Sequence, residues 1–310
     1  MILTVTLNPS VDISYKLEKF MLNDVNRCKD VDKTAGGKGL NIARVLKQLG
    51  EKVNTTGFLG GYTGNFIKNK LGELNIDTNF FEVSGNTRNC IAIIHEGNQT
   101  EILEAGEVIN EKDQINFLKF FEELLKDISL VTISGSVPQG IGKEYYAKLL
   151  EIADRKNVKV ILDTSGESLK NIILNSKIKP YGIKPNETEI NQIENKNLKS
   201  REELIDYLKS DIFSGIELIV VTMGARGALV KHKESFYDVK IPKIEVVNPV
   251  GSGDSTVAGI AYGIENKLSI QETIKYGMTC GILNTKQEKT GYINVNEIED
   301  IKNKVEVIKL

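Results

Sequence analysis

Along most of this chain, compact apolar runs alternate with stretches in which every third or fourth residue is apolar. That is the signature of strands alternating with amphipathic helices. Residues 2–7 read as a strand, and 38–49 as a helix with Ile42, Leu46 and Leu49 on one face. Strand 53–59 and helix 63–74 follow, then helix 111–126, strand 130–134, helix 143–156 and strand 158–163. Further on, 218–222 reads as a strand, and 252–265 and 270–287 as helices. This order predicts an α/β fold whose mainly parallel sheet is covered by helices on both faces.

Two intervals break the alternation. Residues 10–35 hold strand-like runs at 13–17 and 28–31 but no convincing helix. Residues 87–104 hold two more, 90–94 and 100–103, separated by the turn-like Glu96-Gly97-Asn98-Gln99. These segments predict a small second sheet inserted in the N-terminal half. Such a sheet cannot bury both of its faces, so it is expected to act as a lid over a cleft and also as a homodimer surface.

Composition narrows the class without naming it. The chain has 310 residues, no internal repeat and no low-complexity linker, so one domain over 1–310 is expected. The net charge is −2 and the basic residues are dispersed, which argues against nucleic-acid and anionic-membrane partners. No uninterrupted apolar run is long enough to span a bilayer, and the N-terminus reads as a first strand rather than a leader. Cys28, Cys90 and Cys280 are odd in number and far apart, and only His95 and His232 accompany them. That argues against a zinc site and suits free thiols in a reducing cytoplasm.

The richest segment is Asn248-Pro249-Val250-Gly251-Ser252-Gly253-Asp254-Ser255-Thr256, which leads into the helix at 252–265. A glycine turn opening a helix offers free backbone N–H groups at the positive end of the helix dipole, a ready anion site. Asp254, in the first helical turn, is placed to take a proton from a nucleophile attacking that anion. The plainer alternative is a tight turn with a capping aspartate. A second glycine turn, Thr34-Ala35-Gly36-Gly37-Lys38-Gly39-Leu40-Asn41, fails the nucleotide P-loop pattern at Asp32 and Gly39. No clean strand is expected directly before it, so it does not read as a dinucleotide turn either. It suits close approach to a small polar ligand, with Lys38 and Asn41 beside it.

Weaker signals lie elsewhere. Asn8 and Asp12 bracket Pro9 after the first strand, where α/β sheets collect ligands, though an Asx turn is the simpler account. Arg27, Lys38 and Arg88 are cations in or near the lid, and Ser136 follows a strand. Lys184-Pro185-Asn186-Glu187-Thr188-Glu189 opens a helix. Its Asn186 and Glu189 offer oxygens to magnesium or, alternatively, a capping box. Thr222-Met223-Gly224-Ala225-Arg226-Gly227 is a strand and turn suited to a phosphate or adenosine contact.

Taken in order, Asn8–Asp12, Gly36–Asn41, Ser134–Pro138, Lys184–Glu189, Thr222–Gly227 and Gly251–Asp254 resemble the ribokinase-like sugar kinases of the phosphofructokinase-B group. Within it, Asn8–Tyr15, Val25–Arg27, Thr87–Ile93 and Asn248–Gly259 look most like tagatose-6-phosphate kinases of bacterial lactose and galactose breakdown. The resemblance implies a three-layer αβα sandwich with a β-lid at about 10–35 and 87–104. It also implies ATP as co-substrate and Mg²⁺. By resemblance, Asp254 is the general base, and Gly251, Ser252 and Gly253 serve the transferring phosphate. Asp12, Gly37, Lys38 and Asn41 hold the sugar, and Arg27, Lys38, Arg88 and Ser136 meet the phosphate already on it. Lys184, Asn186, Thr222, Gly224 and Gly227 line the nucleotide with Asn284 near the adenine. Asn186 and Glu189 organise Mg²⁺, largely through water. Val137 and Gln139 depart mildly from relatives without touching the chemistry. A 1-phosphofructokinase of the same group and a non-catalytic sugar-phosphate sensor on the same fold are the alternatives.

Overall fold

The computed structural model of the protein describes residues 1–310. Its core is a ten-stranded sheet. From one edge the order is Glu306–Lys309, Ser235–Lys240, Ala228–His232, Leu218–Thr222, Gly182–Ile183, Lys159–Asp163, Leu130–Ser134, Ile2–Val5, Val53–Thr56 and Asp77–Thr78. The seven strands from Leu218–Thr222 to Asp77–Thr78 run parallel. Alternate side chains leave this sheet on opposite sides. Leu3, Val5, Val131, Ile133, Leu162 and Val221 enter one core, and Ile2, Leu130, Ile161, Leu218 and Val220 enter the other. The two cores hold 37 and 34 buried residues, so both faces are covered about equally, as the near-continuous apolar strands require.

The remaining three strands of the sheet are antiparallel and were not legible in the alternating pattern. The chain turns back after Leu218–Thr222 through the single 3-10 turn Gly224–Arg226 and again at Lys233, so no α-helix intervenes there. The expected strand 53–59 is two strands in different sheets, Val53–Thr56 and Phe58–Leu59. Gly57 divides them at φ 152, and a Cβ there would lie 1.8 Å from the Thr6 carbonyl oxygen. Helices Gly166–Asn175 and Arg201–Leu208 also escaped the sequence pattern.

The lid is a separate four-stranded sheet ordered Asp30–Gly36, Ser10–Leu17, Asn89–His95, Asn98–Leu103. The hairpin turn falls at Glu96-Gly97, both with positive φ. The run expected at 28–31 is displaced: the strand is Asp30–Gly36, and it leads straight into helix Lys38–Gln48. A strand therefore does precede the second glycine turn, contrary to the sequence expectation. Its Asp and Lys residues face water and hide the alternation. No helix is long and apolar enough to cross a membrane.

Replacing Gly57 by alanine would force a Cβ into the Thr6 carbonyl, just past the first strand, and strain the backbone. A urea melt of Gly57→Ala is expected to show a loss of about 3 kcal/mol. An unchanged midpoint would contradict the close approach seen here.

Candidate active site

The parallel strands deliver their carboxyl ends to one edge of the sheet, and side chains there line up in strand order. Asn8 follows strand Ile2–Val5, Ser136 follows Leu130–Ser134, Asp163 ends Lys159–Asp163, Lys184 follows Gly182–Ile183, and Thr222 ends Leu218–Thr222. Neighbouring strands lie about 4.8 Å apart, so the four steps from Asn8 to Thr222 span about 19 Å. Across that edge runs the N-terminus of helix Ser252–Glu265.

Gly251 is the N-cap of that helix in the left-handed region, φ 83, where a Cβ would meet Thr290 and Asn284. The Ser252 N–H turns back to Pro249 O at 3.3 Å, while the N–H groups of Gly253 and Asp254 have no acceptor within the chain. Asp254 is 6 % exposed, and its Oδ2 accepts from Asn41 Nδ2 at 2.7 Å. Burial, then the neighbouring carboxylate of Asp163, push its pKa up to about 6 against the pull of the Asn41 hydrogen bond, Lys38 and Lys184. A carboxylate tuned in this direction is suited to accept a proton near neutral pH.

Two lysines share the buried Asp163. Lys184 Nζ lies 3.3 Å from one carboxylate oxygen and Lys38 Nζ 3.7 Å from the other. Asp163 is the first cause holding the Lys38 ammonium above its usual range, with Asp254 and Glu189 adding to it. Lys184 lies directly over the anion turn, since a Cβ on Gly253 would come within 3.1 Å of its Nζ. Both ammonium groups thus converge on Asp163 beside the glycine turn.

At the other end, Asp12 packs on Gly36, accepts from Ser10 Oγ at 2.6 Å and is raised in pKa chiefly by burial. Beyond it, Arg88 donates to the carbonyls of Asn8 (3.1 Å) and Glu104 (3.3 Å). The Asn8 amide reaches Ser136 Oγ at 3.3 Å. Asn8, Arg88 and Ser136 therefore form one polar cluster. A polar cavity of about 530 Å³ opens beside it, lined in part by Tyr62, Thr87, Arg88, Glu104 and Glu107.

The model of pfkB family carbohydrate kinases matches residues 5–297. The chain belongs to the pfkB family of carbohydrate kinases. A Staphylococcus aureus structure described as a "putative phosphofructokinase" is 33 % identical over 100 % of this chain and 99 % of its own, with a TM-score of 0.87. Phosphofructokinase-2 from Escherichia coli, in complex with potassium, is 26 % identical over 97 % and 98 %, with a TM-score of 0.89. A "possible 1-phosphofructokinase" from Thermotoga maritima is 27 % identical over 100 % and 99 %, with a TM-score of 0.88. The protein is an ATP-dependent sugar kinase.

In this pfkB kinase the structure gathers Asp12, Gly37, Lys38, Asn41, Arg88, Ser136, Lys184, Gly251, Ser252, Gly253 and Asp254 along one cleft. Thr222 bridges Asn186, and Gly224 and Gly227 form the next turn, with Gly224 open to solvent. Arg27 is not gathered. It is exposed in the loop between the first two lid strands, beyond the Lys16 and Asp30 pair. At about 3.3 Å per residue that tip lies about 20 Å along the strand from the Ser10 and Gly36 end.

Asn284 is also placed otherwise than expected. It is fully buried beneath the glycine turn, donates to Val250 O and accepts from Ser255 Oγ and the Gly291 N–H. It braces the turn and has no free surface for an adenine. Sequence reasoning passed over Asp163, although it ends a strand at the ligand edge and that position was the available signal. Asn186 and Glu189 form a full capping box, so the Asn186 side-chain oxygen is engaged and Glu189 Oε1 is the free oxygen of the pair. No cluster of three acidic or imidazole ligands exists. This donor set fits a magnesium held mostly by water and substrate phosphates, with Glu189 at its edge, and does not fit an all-protein cage.

Asp163→Asn would remove the like charge that raises Asp254, so the acidic limb of kcat/KM, expected near pH 6, should move to lower pH. A limb that stays put or rises would separate Asp163 from Asp254.

Proposed function

We propose that this kinase transfers the γ-phosphate of ATP to the C1 hydroxyl of D-tagatose 6-phosphate, giving D-tagatose 1,6-bisphosphate. The observation that carries a phosphorylated hexose is the spacing along the sheet edge. Arg88, Asn8 and Ser136 form a polar end, and the base and anion turn lie between that end and the Thr222 and Gly224 turn. The local segments that resemble tagatose-6-phosphate kinases favour that epimer. A 1-phosphofructokinase is the second reading, favoured by the overall likeness to the Thermotoga structure.

In this reading Asp12 and Asn41 orient the sugar, and Arg88 with Ser136 receives its phosphate. Asp254 takes the C1 proton as that oxygen attacks in line. Lys38, Lys184 and the helix N-terminus meet the charge on the transferring group. Thr222, Gly224 and Gly227 face the nucleotide. Magnesium, when bound, neutralises the charge of the ATP phosphates. The lid excludes water from the closed site.

The test is ADP release from Mg-ATP with tagatose 6-phosphate, fructose 6-phosphate and fructose 1-phosphate. The highest kcat/KM is expected for tagatose 6-phosphate, and a preference for fructose 1-phosphate would replace it by the second reading. Asp254→Ala should lose about a thousandfold in kcat with ATP KM nearly unchanged. Arg88→Ala should raise the sugar-phosphate KM by about tenfold or more. Turnover surviving in Asp254→Ala would overturn the mechanism.

The lid also supports a homodimer. Its edge strand Asn98–Leu103 is exposed throughout, with Ile102 and Leu103 showing 53 % and 60 % of their surface, and Val31 on the opposite edge strand shows 41 %. An unpaired apolar edge of this kind is normally covered. Sedimentation should find a dimer that Ile102→Lys converts to monomer. A wild-type monomer at micromolar concentration would remove the proposal.

A further inference from the structure

Arg44 lies one helical turn behind Asn41 and is 4 % exposed. Its guanidinium donates to Ala35 O at 2.6 Å, to the side-chain oxygen of Asn41 and to Thr290 O at 3.4 Å. All three acceptors are neutral, Nε is buried without an acceptor, and the Tyr292 ring centre lies 5.8 Å from the guanidinium carbon. A buried guanidinium with no carboxylate directly against it is a costly arrangement, and an apolar residue of similar volume would serve the fold as well or better. Stability alone does not account for Arg44.

Its neighbours supply a reason. The Asn41 amide can sit in two ways that differ by a half-turn. One places Nδ2 against Asp254 Oδ2; the other would set oxygen against oxygen. Arginine only donates and an ionised carboxylate only accepts. Arg44 on one side and Asp254 on the other therefore permit a single orientation of the amide. Asp254 Oδ1 keeps no protein partner and is left for a substrate hydroxyl.

We propose that Arg44 is a positioning residue for phosphoryl transfer: it locks the Asn41 amide so that Nδ2 holds Asp254 Oδ2, and it lends buried positive charge to both Asp12 and Asp254. The inference rests on Asp254 being the base. Asp254 is faced by Asp163, by Lys38 and Asn41 from helix Lys38–Gln48, by Lys184 and, further off, by Arg44. Arg44 is faced by Tyr292, Asp12 and Asp254. Removing it withdraws a cation that favours the ionised base, so the acidic limb of kcat/KM should rise in pH.

The test is a double-mutant cycle of Arg44→Met and Asn41→Ala, assayed with whichever hexose phosphate turns over fastest. On the alkaline plateau, where the charge on Asp254 no longer limits the rate, Arg44→Met is expected to cut kcat by about thirtyfold with ATP KM within about twofold, and the double variant to be no worse there than Asn41→Ala alone. Arg44→Lys keeps the charge without the fork, so it should hold the limb near its wild-type position and recover only part of kcat. Losses that multiply, or wild-type kcat in Arg44→Met, overturn the proposal. If Arg44→Met does not fold, the Arg44→Lys and Asn41→Ala cycle carries the same test. A readout free of turnover is the Asn41 side-chain amide resonance, assigned by its loss in Asn41→Ala. It should follow the Asp254 titration in the wild type and lose that response in Arg44→Met or Arg44→Lys; an identical response overturns the lock. Turnover in Asp254→Ala would instead remove the reading on which this inference rests.

Discussion

Asp163 and Asp254 are almost wholly withdrawn from water and repel one another at the middle of the sheet's carboxyl edge. Asp254 is pushed toward the neutral acid there, by burial first and by the Asp163 carboxylate second. Lys38 and Lys184 answer Asp163, the Asn41 amide answers Asp254, and the open turn of helix Ser252–Glu265 adds its positive end. The balance leaves Asp254 between firmly ionised and firmly neutral, which is the condition for a base that must accept a proton and give it up again. In the proposed reaction the same lysines that stabilise the carboxylates would present charge to an incoming phosphate.

The fold holds these groups in register with little freedom. Helix Ser252–Glu265 is buried along most of its length against helix Ile270–Thr285, and the two approach through glycines. A Cβ on Gly259 would come within 2.3 Å of Tyr276 O, and one on Gly281 within 2.3 Å of Thr256 Oγ1. Close backbone packing fixes the height of the helix N-terminus over the sheet, and Asn284 ties the turn from below. The sheet spaces the Arg88, Asn8 and Ser136 cluster from the Thr222 and Gly224 turn by whole strands. Positioning and charge are what phosphoryl transfer needs, since little covalent work falls to the protein.

The lid is coupled to this frame. Strand Asp30–Gly36 becomes helix Lys38–Gln48 within two residues, and Arg44 in that helix holds the Ala35 carbonyl at the end of the strand. Asp12, on the next lid strand, packs against Gly36. A displacement of the lid root is therefore felt by Lys38, Asn41 and Asp12 together. Farther out the ties are exposed ion pairs, Lys16 with Glu288 and Lys289 with Asp32, which hold weakly.

What the sequence determined by itself was local. The strand and helix order, the helix at 252–265 and the glycine turns with Asp254 and Lys38 were legible, because their signals lie within a few neighbouring residues. The capping alternative for Asn186 and Glu189 was legible for the same reason, and it is the geometry found. Only the tertiary structure decided the rest. Asp163 and Arg44 look like ordinary charges in sequence; their importance comes from burial against residues as much as 246 positions away. Asn284 turned from a ligand contact into a brace, and Arg27 was left at the lid tip, because packing and register set where a side chain ends. Electrostatics in a protein interior depends on who is near and how little water remains, and no single stretch of chain carries that information.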